Sequence, residues 1–182
     1  MATIFYTATT LDGFLADPHD SLEWLFRQHQ NAGGPFDYEV FIADVGALAM
    51  GATTYEWVRT HLADSAEPWP YRQPTWVFTH RALAPIPGAD VRLTQAPVAE
   101  VHAELTAAGG QNVWIVGGGA LAADFARAGL LDEVVVSIAP VTLGAGRPLL
   151  TGRFDLELIE TVRNVDFICA RYRVLGPLTE DR

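Results

Sequence analysis

The sequence contains no lysine and a single cysteine, and it has few serines; each shortage excludes a class of chemistry. Without lysine there is neither a P-loop lysine nor a Schiff-base nucleophile. Cys169 alone forms no intrachain disulfide and no cysteine-based structural zinc site. The five histidines show no paired metal-ligand spacing, so no metal site is predicted. The scarcity of serine and the absence of a Gly-x-Ser-x-Gly elbow argue against acyl transfer.

Positive charge is also scarce, since 12 basic residues face 22 acidic ones and the formal net charge is -10. Acidic chains without a basic cluster repel nucleic acid and anionic membranes, so neither is expected as a partner. No secretory signal and no apolar segment long enough to cross a bilayer is present, which predicts a cytoplasmic protein. The length of 182 residues suits one domain over 1–182 with a large core.

Apolar strand patterns alternate with helical patterns along most of the chain. Strands are predicted at residues 4–10, 47–50, 75–79, 91–93, 113–116 and 132–140. Helices are predicted at 22–30, 36–45, 55–63, 97–107 and 120–128. The segments 154–164 and 165–175 predict a closing antiparallel pair. The pattern indicates a three-layer α/β/α fold around a mostly parallel sheet.

Three consecutive glycines, Gly117, Gly118 and Gly119, separate a short apolar run from a helical pattern. A strand that turns through glycines into a helix presents bare backbone N–H groups and a positive helix end, which favours phosphate binding. Glycine permits a close approach of the ligand. The alternative is a tight turn without a ligand. The sequence is not the Gly-x-Gly-x-x-Gly fingerprint, because position 122 is alanine.

Two further strand ends carry phosphate-compatible residues, and these are Gly51, Thr53, Thr54, Thr79, His80 and Arg81. Since the carboxyl ends of parallel strands meet at one edge of a sheet, these residues are expected beside the three glycines. Three such ends favour an extended ligand with several phosphates, such as a dinucleotide. Each end taken alone is also compatible with a simple capped helix.

Acidic residues provide the candidates for proton transfer. Asp12 follows the first strand, where it could polarise a substrate or a water molecule, although Asp12-Gly13 is also a turn signal. Asp37, Glu39 and Asp44 are predicted to lie on the helix before the second strand and could reach a pocket beneath it. The alternative for each is a solvated helix charge.

Four segments occur in an order that resembles the dihydrofolate-reductase-like superfamily: 9–16, 50–56, 113–119 and 131–149. Within that superfamily, the sequence resembles the C-terminal reductase domain of the bifunctional riboflavin-biosynthesis deaminase–reductase. The resemblance implies a sheet of about eight strands with a reversed final strand. It also implies NADPH as hydride donor and often a homodimer.

The resemblance assigns roles to residues of this chain. The nicotinamide is expected near the first strand and Asp12, which is the candidate catalytic residue. Residues expected to bind the cofactor are Gly51, Thr53, Thr54, Thr79, His80, Arg81, Gly117, Gly118, Gly119, Ala120 and Leu121. Residues expected to contact the substrate are Thr10, Phe14, Trp24, Tyr55 and Pro140.

The sequence departs from the family pattern at two positions. Ala52 stands where an arginine commonly pairs with the 2′-phosphate, so Arg81 is the candidate replacement and NADH remains an alternative cofactor. Val116 stands where riboflavin-pathway reductases usually carry glutamate, and the zinc motifs of the deaminase are absent. We therefore expect reduction of a small, flat, polar heterocycle, pterin-like or pyrimidine-like. The alternatives are a dinucleotide-binding module without turnover and a small-ligand sensor.

Overall fold

The computed structural model describes residues 1–65 and 67–178, which contain ten strands and five helices. The strands are β1 (Thr3–Thr10), β2 (Phe14–Ala16), β3 (Val45–Gly51), β4 (Thr75–Phe78), β5 (Val91–Thr94), β6 (Asn112–Gly117), β7 (Glu133–Ala139), β8 (Arg147–Pro148), β9 (Phe154–Asn164) and β10 (Phe167–Pro177). The helices are α1 (Glu23–Phe26), α2 (Tyr38–Ala43), α3 (Ala52–Ser65), α4 (Val98–Gly109) and α5 (Gly119–Arg127).

Eight of these strands form one sheet in the order β5-β4-β3-β6-β1-β7-β10-β9. The neighbours from β5 to β7 pair in parallel, whereas β10 pairs antiparallel with both β7 and β9. This arrangement confirms the predicted mostly parallel α/β sheet with a reversed C-terminal strand. The carboxyl ends of β1, β3, β4, β6 and β7 consequently lie at one edge of the sheet.

Alternate residues of the central strands supply two separate cores. Ala47 and Ala49 of β3 face a cluster that includes α4 and α5, whereas Leu48 and Met50 face a cluster with Tyr55 of α3. This period of two follows from the pleat of a strand that is covered on both faces. Across the described ranges, no helix has the combination of length and apolarity that crossing a bilayer requires.

The structure differs from the sequence-based boundaries mainly in short elements. The first two helices are four and six residues long. The second is shorter than predicted because Asp37 caps α2 at its start and Val45 already belongs to β3. The small antiparallel sheet of β2 and β8 was not predicted. Strands of two or three residues are too short to show a period of alternation. This small sheet fixes the segment after β7 against the turn that follows β1.

Candidate functional site

Two strand–helix junctions lie side by side at the carboxyl edge. Met50 of β3 is opposite Gly117 of β6, so α3 and α5 begin next to each other. A Cβ atom placed on Gly51 would lie 3.7 Å from Gly117 O and 3.8 Å from Gly118 N. The first N–H groups of each helix have no intrahelical partner. Backbone donors and two positive helix ends therefore converge at this edge, as the sequence predicts.

The three consecutive glycines have different surroundings. Gly118 is the N-cap of α5, and nothing lies within 4 Å of a Cβ atom placed on it. A Cβ atom on Gly119 would instead overlap the carbonyl oxygens of Pro148 and Leu149. The peptide bond between Gly117 and Gly118 is cis. Packing within the protein thus accounts for Gly119, whereas the open side of Gly118 leaves backbone accessible to a ligand.

A cavity of about 530 Å³ lies beside these junctions. Five of the predicted cofactor residues line it: Gly51, Thr79, His80, Ala120 and Leu121. Sequence reasoning missed the other lining residues, which are Phe78, Thr94, Gln95, Ala96, Pro97, Val98 and Asp124. Most of these follow β5, and the strand-end rule applied to that strand would have found them.

The remaining predicted cofactor side chains meet at the start of α3. Nη1 of Arg81 lies 2.5 Å from Oε2 of Glu56, and Nη2 lies 3.4 Å from Oγ1 of Thr53. The backbone N–H of Arg81 donates to Oγ1 of Thr79 at 2.9 Å, which fixes the turn after β4. Thr54 faces the other junction, because its Oγ1 would lie 3.1 Å from a Cβ atom placed on Gly117. Sequence reasoning did not select Glu56, although it belongs to the same motif.

Asp12 lies at this edge, and its carboxylate accepts hydrogen bonds from three residues. The hydroxyl of Thr10 donates at 2.6 Å, Gly144 N–H at 2.7 Å and Leu143 N–H at 3.0 Å. The hydrogen bond from Thr10 is the largest cause of a lowered pKa for Asp12, and the two backbone donors add to it. Asp12 is therefore ionised at neutral pH and fastens the segment after β7 to the end of β1.

None of the five predicted substrate residues is among those that line the cavity of about 530 Å³. The hydroxyl of Thr10 also accepts from Phe14 N–H at 3.0 Å, so these two residues shape the turn after β1. Pro140 is exposed just beyond β7. Trp24 is only 2% exposed and packs against residues of β7 and β10. The expectation that Tyr55 contacts the substrate is wrong, because Tyr55 is fully buried and its hydroxyl donates to Ala84 O.

A second cavity of about 370 Å³ lies beneath α2, toward the amino ends of the strands. Asp37 and Asp44 line it together with Tyr6 and Arg171, whereas Glu39 does not. Asp37 accepts hydrogen bonds from Gly33 N–H and from the first turn of α2, which lower its pKa. Burial raises the pKa of Tyr6 to about 12. In parallel sheets ligands bind beyond the carboxyl ends of strands, which favours the first cavity as the site.

The sheet order and the paired glycine junctions define a dihydrofolate-reductase-like α/β protein. The chain matches the RibD C-terminal domain family over residues 57–176, and it belongs to that family. It is 32% identical over 162 residues to the uncharacterized protein YwjB of Bacillus subtilis, covering 86% of this chain and 88% of the relative. The resemblance found in the sequence is therefore confirmed.

Solved structures share the fold. A Shewanella sp. PV-4 protein provisionally assigned to riboflavin biosynthesis has a TM-score of 0.79 and 27% identity, with 96% of this chain and 99% of that chain covered. Dihydrofolate reductase of Enterococcus faecalis, complexed with NADP(H), has a TM-score of 0.63 and 16% identity, covering 96% and 97%. The Thermotoga maritima deaminase/reductase has a TM-score of 0.66 and 15% identity, covering 95% of this chain and 56% of that one.

Proposed function

We propose that the protein is an NAD(P)H-dependent reductase that transfers hydride to a small, flat, polar heterocycle of pterin-like or pyrimidine-like shape. The observation that carries the proposal is the pair of adjacent glycine junctions beside a cavity of about 530 Å³. Membership of a reductase-domain family supports the same reading. The complex of the Enterococcus faecalis enzyme with NADP(H) supports a nicotinamide dinucleotide as the ligand.

The residues at the carboxyl edge suit a dinucleotide. Gly118 leaves open space where a pyrophosphate would approach the first turn of α5, and its carbonyl already accepts from Ala122 N–H at 3.1 Å. The cavity that includes Thr79 and His80 is suited to the adenosine half. The bound nicotinamide would supply the hydride, so the protein needs to contribute orientation and exclusion of water.

Asp12 enters the proposal as a positioning residue with access to a water molecule. An ionised carboxylate with three donors does not deliver a proton at neutral pH, but it can hold the loop after β7 in place. Phe14 and Pro140 lie at the same end of β1 and β7 and stay in the proposal as the substrate side. Thr10 and Trp24 are buried and support that side from the interior. Water ordered beside Asp12 is the proposed route for the proton.

Fluorescence titration tests cofactor binding directly. Quenching of the five tryptophans by NADPH and by NADH should give micromolar dissociation constants for at least one of them. Oxidation of the bound nucleotide, followed by its near-ultraviolet absorbance with a panel of pterins and pyrimidines, should then identify a substrate class. If neither nucleotide binds, the reductase proposal fails and only the fold remains.

A dinucleotide-binding module without turnover is the second candidate. The ionised carboxylate of Asp12 favours it, because the candidate for proton transfer at the end of β1 has then already lost its proton. Tight binding without nucleotide oxidation across the whole heterocycle panel would support the module. Substrate-dependent oxidation would rule it out.

Self-association is proposed as well, since the family resemblance implies a homodimer. Large apolar side chains are exposed on the β9–β10 hairpin, and these are Leu156, Leu158, Ile159, Ile168 and Leu175. Apolar surface of this kind gains about 25 cal/mol per Å² when it is buried. Size-exclusion chromatography with light scattering should report twice the mass of 19.8 kDa. A monomer at micromolar concentration would contradict the proposal.

A further inference from the structure

The single arginine among the predicted cofactor residues is already paired. Arg81 and Glu56 form an ion pair with N and O atoms 2.5 Å apart, and Thr53 lies against the same guanidinium. The side chain of Arg81 is 51% exposed and that of Glu56 is 35% exposed. Arg81 directly follows Thr79 and His80, which line the cavity of the proposed dinucleotide site. The accessible pair therefore lies next to that cavity, where an incoming ligand would meet a carboxylate together with the cation.

The charges that line the cavity do not compensate for this carboxylate. The residues that line the cavity include no arginine, and the acid among them, Asp124, is paired with Arg127 at 2.7 Å. His80 is the other ionisable lining group. Ala52 at the start of α3 supplies no cation. A phosphate monoester placed here would have to compete with Glu56 for one guanidinium.

We propose that the Glu56–Arg81 pair makes this chain prefer NADH over NADPH, an inference that rests on the proposed function. A 2′-phosphate carries nearly two negative charges and would be repelled by Glu56 while it draws Arg81 away. A ribose with two free hydroxyls can donate to the Glu56 carboxylate and accept from Arg81, leaving the pair intact. Glu56 is thus the residue that determines specificity between the two nucleotides. Arg81 can interact with the ribose of NADH or with the 2′-phosphate of NADPH.

The test compares dissociation constants for NADH and NADPH in the wild type and in Glu56→Gln. The wild type should bind NADH at least as tightly as NADPH. Glu56→Gln frees Arg81 without changing side-chain size and should tighten NADPH about tenfold, while NADH changes less than about threefold. The double variant Glu56→Gln with Arg81→Gln should lose this gain for NADPH.

Glu157→Gln is the matched control, because Glu157 pairs with Arg173 at 2.6 Å on the distant β9–β10 hairpin. It should leave the ratio of the two dissociation constants unchanged, and thermal unfolding should show that each variant is folded. A wild-type preference for NADPH, or an unchanged ratio in Glu56→Gln, would overturn the inference and leave the proposed function standing. Absence of binding by either nucleotide in every variant would overturn the proposed function, and the inference with it.

Discussion

The β6–α5 junction and the β3–α3 junction both join a buried strand to a helix through glycine, but their surroundings differ. Most of α5 is buried, including Leu121 and Phe125, and Gly119 lies against the backbone of β8 and the residue after it. The longer helix α3 buries only Tyr55 and Val58, and Thr53 in its first turn is exposed. One junction is therefore embedded in the protein, whereas the other stands at its surface.

The segment after β7 accounts for much of this difference. Its Val141 O accepts from Leu11 N–H at 2.8 Å, and its Leu149 N–H donates to Gly13 O at 2.9 Å. Asp12 holds its middle, so the segment is fastened to the turn after β1 and supports α5 from outside. A backbone cradle requires such rigid support, because its donors are fixed in position. Side chains on the exposed surface of a helix such as α3 can be substituted without repacking the core, so the ligand that they contact can change.

Gly119→Ala should have the largest effect, because it disturbs the embedded junction. The added methyl group would overlap two backbone carbonyl oxygens, and neither can move without shifting β8. Overpacking of this kind costs about 3 kcal/mol in the free energy of unfolding. Denaturant unfolding followed by tryptophan fluorescence measures the loss. A variant as stable as the wild type would show that the segment after β7 moves to accommodate the methyl group at little cost. The β6–α5 junction would then be no more rigidly packed than the β3–α3 junction.

Gly118→Ala separates packing from ligand binding at the next residue. Its methyl group would meet nothing in the protein, so the free energy of unfolding should stay within about 1 kcal/mol of the wild-type value. The same methyl group would occupy the proposed approach of the pyrophosphate and should weaken both NADH and NADPH about tenfold. Unchanged dissociation constants would contradict the proposed position of the pyrophosphate.

Asp12→Asn tests how firmly the embedded junction is supported. Asparagine cannot accept all the hydrogen bonds that the carboxylate accepts, so the segment should loosen and turnover should fall about fivefold with nearly unchanged nucleotide affinity. A fall of less than about twofold would remove Asp12 from the mechanism.

The same carboxylate predicts a dependence of stability on pH. The folded-state pKa of Asp12 is lowered from its ordinary value of 3.8, mainly by the Thr10 hydroxyl. Its stabilising contribution is therefore complete above that ordinary value and is lost as pH falls through the lowered pKa. The melting temperatures of wild type and Asp12→Asn should differ at pH 6 and converge at low pH. A difference that persists unchanged at low pH would mean that ionisation of Asp12 has no part in the support.

Sequence periodicity was sufficient for the chain order of the helices and of the strands in the large sheet, and for the edge at which the parallel strands end. It placed Gly51 and the three glycines at the ends of buried strands, where the structure has them. Periodicity could not show which glycine is needed for packing and which leaves space for a ligand, since Gly119 is constrained by residues about thirty positions further along the chain. Tyr55 was misassigned although Val58, one helical turn later, already marked that face of α3 as buried. The pairing of Arg81 with Glu56 depends on how the turn after β4 packs on α3, which periodicity does not describe.

Thr53→Ala should have the smallest effect and sharpens the description of the surface junction. The hydroxyl of Thr53 accepts from Arg81 at 3.4 Å, a long hydrogen bond between exposed groups. Its loss should change the dissociation constants of NADH and NADPH by less than about twofold, because Glu56 still holds the guanidinium. A larger loss, for both nucleotides alike, would mean that the hydroxyl itself contacts the ligand. The β3–α3 junction would then bind the nucleotide through the Thr53 hydroxyl as well as through the Glu56–Arg81 pair. It would resemble the β6–α5 junction, where the proposed contacts come from fixed backbone groups.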